Sequence, residues 1–249
     1  MECVDVSGLV GGSVIRRTVK LSTWLIIAFV VLNVLIGVVS NVSTSVSDSD
    51  EAVFHSILGL KKPQGALSYE QEIELIKSAQ ALVLKKAPVG EPIDEYSDRE
   101  SENLFQKKVG CVMTAQELMT RIFSWYGFGS RHLYILYPEH PVTGEKLSFL
   151  RAFFTKGTNS HAVTEIKTSR GWLVVDSNSL WMSVVADGSP VDADHIYMQA
   201  NRFASIPVYW NRPYWAVRGL YSRRGQLYRP YIPYPELNWY DFLSWVVLG

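Results

Sequence analysis

Three residues of this chain stand in contexts that would suit thiol chemistry. Cys111 follows Gly110 and precedes a stretch, Val112 to about Tyr126, in which Ala115, Leu118, Met119 and Ile122 recur at helical spacing. The thiol therefore stands at or just before a helix N-terminus, where free N–H groups and a partial positive charge favour the nucleophilic thiolate. His161 comes fifty residues later, at the start of a strand-like segment, and could serve as the base. Asp176 lies a further fifteen residues on, at the end of the next strand-like segment. A hairpin would set the two side by side, and a carboxylate so placed holds an imidazole in one tautomer. Each residue alone has a plainer reading: a lone cysteine in a folded domain is most often a small buried hydrophobe.

The elements that would position them can be read along the chain. Ser68-Tyr-Glu-Gln71 has the form of a capping box, and an apolar stripe of Ile73, Leu75, Ile76, Ala79, Leu82 and Val83 carries a helix to about Lys86, before Pro88 and Gly90. A polar, acidic loop follows from Glu91 to Glu102. Beyond the Cys111 helix, Gly127 and Gly129 supply a stop. Strands are then predicted over His132–Tyr137 and Leu147–Phe154, and a hairpin over His161–Ile166 and Gly171–Asp176, joined by Lys167 to Arg170. Helices followed by antiparallel strands indicate an α+β domain. From Pro207 the chain is crowded with Tyr, Trp and Pro, and Glu236–Leu248 could form a short amphipathic helix. That helix either packs on the domain or touches a bilayer interface.

Order and local context together carry a resemblance. Gly110-Cys111 at a helix start, Gly127-Phe-Gly-Ser-Arg131 after it, His161-Ala-Val-Thr-Glu165 on one strand and Gly171-Trp172-Leu-Val-Val-Asp176 on the next resemble the transglutaminase-like superfamily, in its bacterial cysteine-proteinase type. The resemblance covers roughly residues 68 to 180. It implies a papain/transglutaminase-like core, with N-terminal helices packed on an antiparallel sheet. It also implies Cys111 as nucleophile, His161 as general base and acid, and Asp176 as the residue orienting His161. The pattern departs at Val163, where the family commonly has an aromatic residue. No Gln or Trp upstream of Cys111 in the domain offers itself as an oxyanion donor, which leaves the Cys111 backbone N–H as the minimum candidate and a second donor unassigned. The implied chemistry is acyl transfer or amide hydrolysis through a thioester on a peptide, protein or envelope polymer. A non-catalytic binding or scaffolding module of an envelope assembly is the rival class.

Leu21 to Ser47 contains no charged residue, and its Leu21–Val39 portion is nearly all apolar, long enough at about 1.5 Å per residue to cross a hydrocarbon core. Arg16, Arg17 and Lys20 precede it and the polar, slightly acidic Asn41–Asp50 follows; Trp24 stands near one boundary. The positive-inside rule then predicts a single-pass protein with a cytoplasmic N-terminus and an extracytoplasmic domain, periplasmic or extracellular. A cleaved signal peptide would leave the domain on the same side. The expected division is 1–20 cytoplasmic N-terminus, 21–40 transmembrane anchor, 41–67 stem, 68–206 transglutaminase-like domain and 207–249 aromatic and Pro-rich extension. The partners expected are the substrate and the membrane, through residues 21–40.

Composition narrows the remaining classes. The 249 residues are 47% hydrophobic, enough for a packed core, and carry 24 basic and 24 acidic side chains. With no basic surplus, no nucleic-acid partner is expected. There is no repeat of 20 to 50 residues and no Gly-rich phosphate loop. Cys3 and Cys111 would lie on opposite sides of the membrane and cannot pair. Of the other histidines, His55 falls in the stem, His132 begins a strand, His140 lies in a turn, and His195 follows Asp192-Ala-Asp194. Without paired His or Cys spacing, no metal and no cofactor is expected.

Overall fold

The computed structural model describes residues 7–39, 41–86, 112–140, 142–155, 158–221, 228–229 and 232–248. The expectations for Cys111 and for the acidic loop Glu91–Glu102 fall outside the described residues. The chain divides into two units, Met1–Asn41 and Val42–Gly249. The first is one helix, α1 (Ser7–Val39), whose Ser22–Val39 portion is long and apolar enough to cross a membrane and is not buried against protein. Lys20 and residues 22–35 expose their side chains almost throughout.

The second unit is α+β. A four-stranded antiparallel sheet has the order β3-β2-β1-β4, built from β1 (Gly129–Leu136), β2 (Ser160–Thr168), β3 (Gly171–Asp176) and β4 (Trp215–Arg218). A smaller sheet joins β5 (Leu220–Tyr221), β6 (Tyr228–Arg229) and β7 (Ile232–Leu237) in the order β5-β7-β6. The hairpin β2–β3 turns at Ser169 and Arg170, with Val163 opposite Asp176 and Thr168 opposite Gly171.

Strand alternation divides the main sheet into two faces. One carries Tyr134, Leu136, Ala162, Thr164, Ile166, Leu173 and Val175. The other carries Leu133, Ile135, His161, Val163, Glu165, Val174 and Asp176. Helices cover the first face. α3 (Tyr69–Lys86) and α4 (Val112–Trp125) press Ile76, Ala79, Val83, Met119 and Ile122 against Ile166, Leu173 and Val175. Further along the same face, α5 (Phe149–Phe154) and α6 (Trp239–Leu248) pack on Tyr134, Leu136 and Val217. The second face is covered by the long irregular segment between β3 and β4, through Val185, Val191, Ile196 and the fully buried Trp210.

The capping box of α3 forms as its sequence suggests: the Ser68 N–H donates to Gln71 Oε1 at 2.9 Å and the Gln71 N–H donates to Ser68 Oγ at 3.3 Å. Three other expectations need correction. Leu147–Phe154 contains a helix rather than a strand. Ser148 caps it by accepting from the Arg151 N–H, and Phe149, Ala152 and Phe153 fall on one inward face. A run this short is ambiguous by periodicity, and the cap decides it. Residues 41–67 do not form a detached stem. They include α2 (Asp48–Ser56), opened by a Ser47/Asp50 capping box, whose Phe54 is fully buried in the core. The buried Asp50 accepts from Arg121 Nη1 through both oxygens at 3.0 Å, tying α2 to α4. The C-terminal segment packs on the domain, one of the two readings above, and supplies β4 to the main sheet. Its last helix begins at Trp239 rather than Glu236, since Glu236 and Leu237 pair with β5 and Asn238 Oδ1 accepts from the Asp241 N–H.

Candidate active site

β2 begins at Ser160, paired with Leu136 of β1, and this places His161 second in the strand. β3 ends at Asp176, where the chain leaves the ladder through Ser177, Asn178 and Ser179. His161 and Asp176 are thus diagonal neighbours on one face of the sheet, close enough for side-chain contact. The His161 ring meets Asp176 through Nε2 at 3.2 Å from Oδ1, with His161 8% exposed and Asp176 fully buried.

The Asp176 carboxylate is enclosed by donors. Oδ1 also accepts from the Asn178 N–H at 2.7 Å, and Oδ2 accepts from Ser179 Oγ at 3.1 Å and from the Tyr209 hydroxyl. Four donors match the acceptor capacity of a carboxylate, which offers nothing but lone pairs. The proton shared with His161 therefore belongs to Nε2, and Nδ1 is left as the basic nitrogen. The Asn178 side-chain amide lies 3.5 Å from Nδ1 and can donate to it. The Tyr209 ring stands beside the imidazole, with centroids 4.5 Å apart at 51°. It provides an aromatic neighbour on the face where Val163, itself wholly in the core, provides none.

Behind this pair the backbone is held by Gln80. Its Nε2 amide donates to the carbonyls of Asp176, Ser179 and Trp181 at 2.9, 2.8 and 3.0 Å. Gln80 is fully buried on α3, so a helix of the first face fixes the loop that carries Asp176 on the second. The end of the hairpin is the place where the two faces meet. Ser177 Oγ closes the same turn on the Ala162 carbonyl at 2.6 Å. Tyr209 is in turn steadied by Tyr137, whose hydroxyl donates to the Tyr209 carbonyl at 3.0 Å. Burial pushes the Tyr137 phenol up to about 12, so it stays a donor at ordinary pH.

α4 opens at Val112, the residue after Cys111. Its direction is set by two contacts. Ser130 Oγ donates to the Thr120 carbonyl at 2.7 Å and Thr164 Oγ1 to the Gln116 carbonyl at 3.1 Å. Going from Thr120 towards the helix N-terminus therefore means going along β2 towards His161. Four helical residues rise about 6 Å and two strand residues about 6.6 Å, so the start of α4 falls level with Ala162. α4 itself, however, packs on the face opposite the one His161 and Asp176 occupy. Of the three sequence-predicted site residues, two are brought together and the third lies outside the described residues.

The Glu165 and Arg131 positions of the sequence pattern form a buried ion network on the second face. Arg131 Nε donates to Glu165 Oε2 at 2.7 Å while its guanidinium lies over the Trp172 ring, 3.9 Å from the centroid. Arg218, from β4, reaches both Glu165 oxygens at 3.3 Å and Asp194 at 2.6 Å. Burial opposes the Arg218 charge, but the two carboxylates outweigh it and hold its pKa above the ordinary arginine value. This network cross-braces β2, β1 and β4 beneath the His161 end. His195 is engaged locally, Nδ1 to Asp192 at 2.6 Å.

Sequence reasoning missed Tyr209, Asn178, Ser179 and Gln80. Asn178 and Ser179 directly follow Asp176 and carry the turn-forming signature of Asn and Ser. Tyr209 and Gln80 come from distant segments and left no local signal.

No family model and no curated protein matches the chain. Among solved structures, the crystal structure of a putative protease from Parabacteroides distasonis aligns at 14% identity with a TM-score of 0.32, over 53% of this chain. The chain spans only 27% of the length of that neighbour. A likeness this slight carries no weight for the fold or the activity.

Proposed function

We propose that the chain is a membrane-anchored, extracytoplasmic thiol enzyme of transglutaminase-like type, with Cys111 as nucleophile, His161 as general base and acid, and Asp176 as orienting carboxylate. The observation that carries the reading is the Asp176 carboxylate. It is fully buried, accepts from four donors and holds His161 by Nε2, which leaves Nδ1 as a base at the end of the strand level with the start of α4. Cys111 immediately precedes that helix. In the reaction, the Cys111 proton passes to His161 Nδ1 and the sulfur adds to an amide or ester carbonyl. The tetrahedral adduct then expels the amine or alcohol, which takes the proton from His161. Water or an amine, deprotonated by the same nitrogen, attacks the thioester and releases the thiol. Arg16, Arg17 and Lys20 just before the apolar span support a cytoplasmic N-terminus and an extracytoplasmic domain, and with them a target in the envelope.

The second reading, a non-catalytic binding module, has one observation in its favour. α4 packs on the sheet face opposite the one that carries His161, whereas a thiol nucleophile has to come within reach of Nδ1. Alkylation of the folded full-length chain in detergent, mapped by mass spectrometry, separates the two. The enzyme reading expects stoichiometric modification of Cys111 at neutral pH within minutes. A Cys111 that reacts only after unfolding supports the binding module instead.

A further inference from the structure

We propose that the outer surfaces of α5 and α6 form a membrane-contact face, seated in the headgroup–acyl boundary of the same bilayer that α1 crosses. The inference rests on reading α1 as a membrane span and not on the thiol chemistry. α6 reads Trp239-Tyr-Asp-Phe-Leu-Ser-Trp-Val-Val-Leu248. Its inner side, Trp239, Phe242 and Trp245, packs on the core together with Phe149 and Phe153 of α5, and Phe149 and Trp245 are in ring contact at 6.1 Å. Its outer side is apolar as well. Tyr240 is 81% exposed and Val247 75%, with Leu243 and Val246 more than half exposed, and α5 adds Leu150 at 66% and Phe154 at 68%. A helix apolar on both sides belongs in a core or against lipid, and α6 is docked on one side only.

The chain itself says what covers the other side. Val42 donates its N–H to the Leu237 carbonyl at 2.8 Å, and the Asn238 side-chain amide donates to the Val42 carbonyl at 2.9 Å. These bonds pin the chain to the residue from which α6 starts. The apolar helix α1 ends at Val39, and three residues reach at most about 11 Å. If Val39 marks the membrane surface, the root of α6 is held within the depth of the interfacial layer, where Trp and Tyr are favoured and an apolar helix face can be buried.

The test uses the full-length chain in vesicles of phosphatidylcholine and phosphatidylglycerol, containing a phosphatidylcholine with a diazirine near the headgroup end of its acyl chain. After photolysis, lipid adducts are mapped by mass spectrometry. Adducts are expected within residues 22–39 and also on α5 and α6. Leu180, Met198 and Val208, equally exposed elsewhere, should stay unlabelled. The double variant Leu243→Glu/Val247→Glu should lower the α6 yield about tenfold and leave labelling of residues 22–39 unchanged. Adducts confined to residues 22–39, or equal labelling of Leu180, Met198 and Val208, would overturn the proposal. So would protein–protein cross-links through α6 in the absence of lipid adducts, which would assign the face to a second copy. Absence of adducts from residues 22–39 as well would instead remove the anchor, and this inference with it, without touching the Cys111 reactivity.

Discussion

Replacing Glu165 should cost more stability than any substitution at the surface of this domain. Its carboxylate is fully buried and accepts from Arg131 at 2.7 Å, from Arg218 at 3.3 Å through both oxygens, and from the Ala193 N–H at 3.3 Å. Glu165→Ala removes the negative centre of a buried network whose members are otherwise Arg131, Arg218 and Asp194. Arg131, about one-quarter exposed, can turn towards water, whereas the Arg218 side chain is only 6% exposed and keeps Asp194 alone. Breaking a buried ion pair from one side costs about 3–5 kcal/mol. The surviving Asp194 contact argues for the lower end, about 3 kcal/mol. For a domain of this size, a loss of 1 kcal/mol lowers Tm by about 2–4 °C, so the expected fall is about 6–12 °C. Glu165→Gln keeps an acceptor and the shape, and should lose about half as much. Urea unfolding of residues 42–249, followed by tryptophan fluorescence, gives both values. Arg218→Ala combined with Glu165→Ala should cost less than the sum of the single changes, because the orphaned charge is gone. A Glu165→Ala loss under about 1 kcal/mol, or strict additivity in the double variant, would refute the view that this network braces the sheet beneath the site.

Gly219→Ala should destabilise by more than about 2 kcal/mol, because Gly219 has φ +69° and an added Cβ would lie 2.7 Å from the Asn238 carbonyl oxygen and the Phe242 nitrogen at the start of α6; thermal unfolding by circular dichroism measures it. Phe54→Ala should cost about 3–5 kcal/mol by the same method if α2 belongs to the core, whereas a side chain on a detached stem would be neutral. Tyr209→Phe removes one of the four donors to Asp176 and should lower stability by about 1–2 kcal/mol; Cys111 should remain alkylatable, with an altered pH profile if Tyr209 tunes the His161–Asp176 pair.

Local chemistry made part of this legible in advance. Two short strand-like runs joined by a polar connection were enough for the β2–β3 hairpin, although β2 continues to Thr168, and so for the His161–Asp176 contact at 3.2 Å. The Ser68 capping box located the start of α3. Reading failed where packing at a distance decides. Val53, Phe54 and Leu58 sit in a Ser-rich stretch whose composition suggests a tether, yet the core takes them up through the Asp50–Arg121 pair. Phe149 and Phe153 became a helical face because α6 and β4 offered aromatic partners, which an eight-residue window does not contain. Tyr209 and Gln80 reach the site from segments far from Asp176 in sequence. The sheet parity that sets α4 and His161 on opposite faces also follows from pairing, not from any one strand.

The central claim is that His161 activates Cys111, and the rate of Cys111 alkylation by iodoacetamide as a function of pH tests it most directly. Only the thiolate reacts, and an unperturbed cysteine ionises near pH 8.5. With His161 as its ion-pair partner, Cys111 should react well below neutral pH. His161→Ala should return the profile towards that of a free thiol, and Cys111→Ala should leave only Cys3 to label. A Cys111 that titrates like a free thiol in both the wild-type chain and the His161→Ala variant, or that stays inert towards a reagent as small as methyl methanethiosulfonate until the fold is lost, would contradict the account.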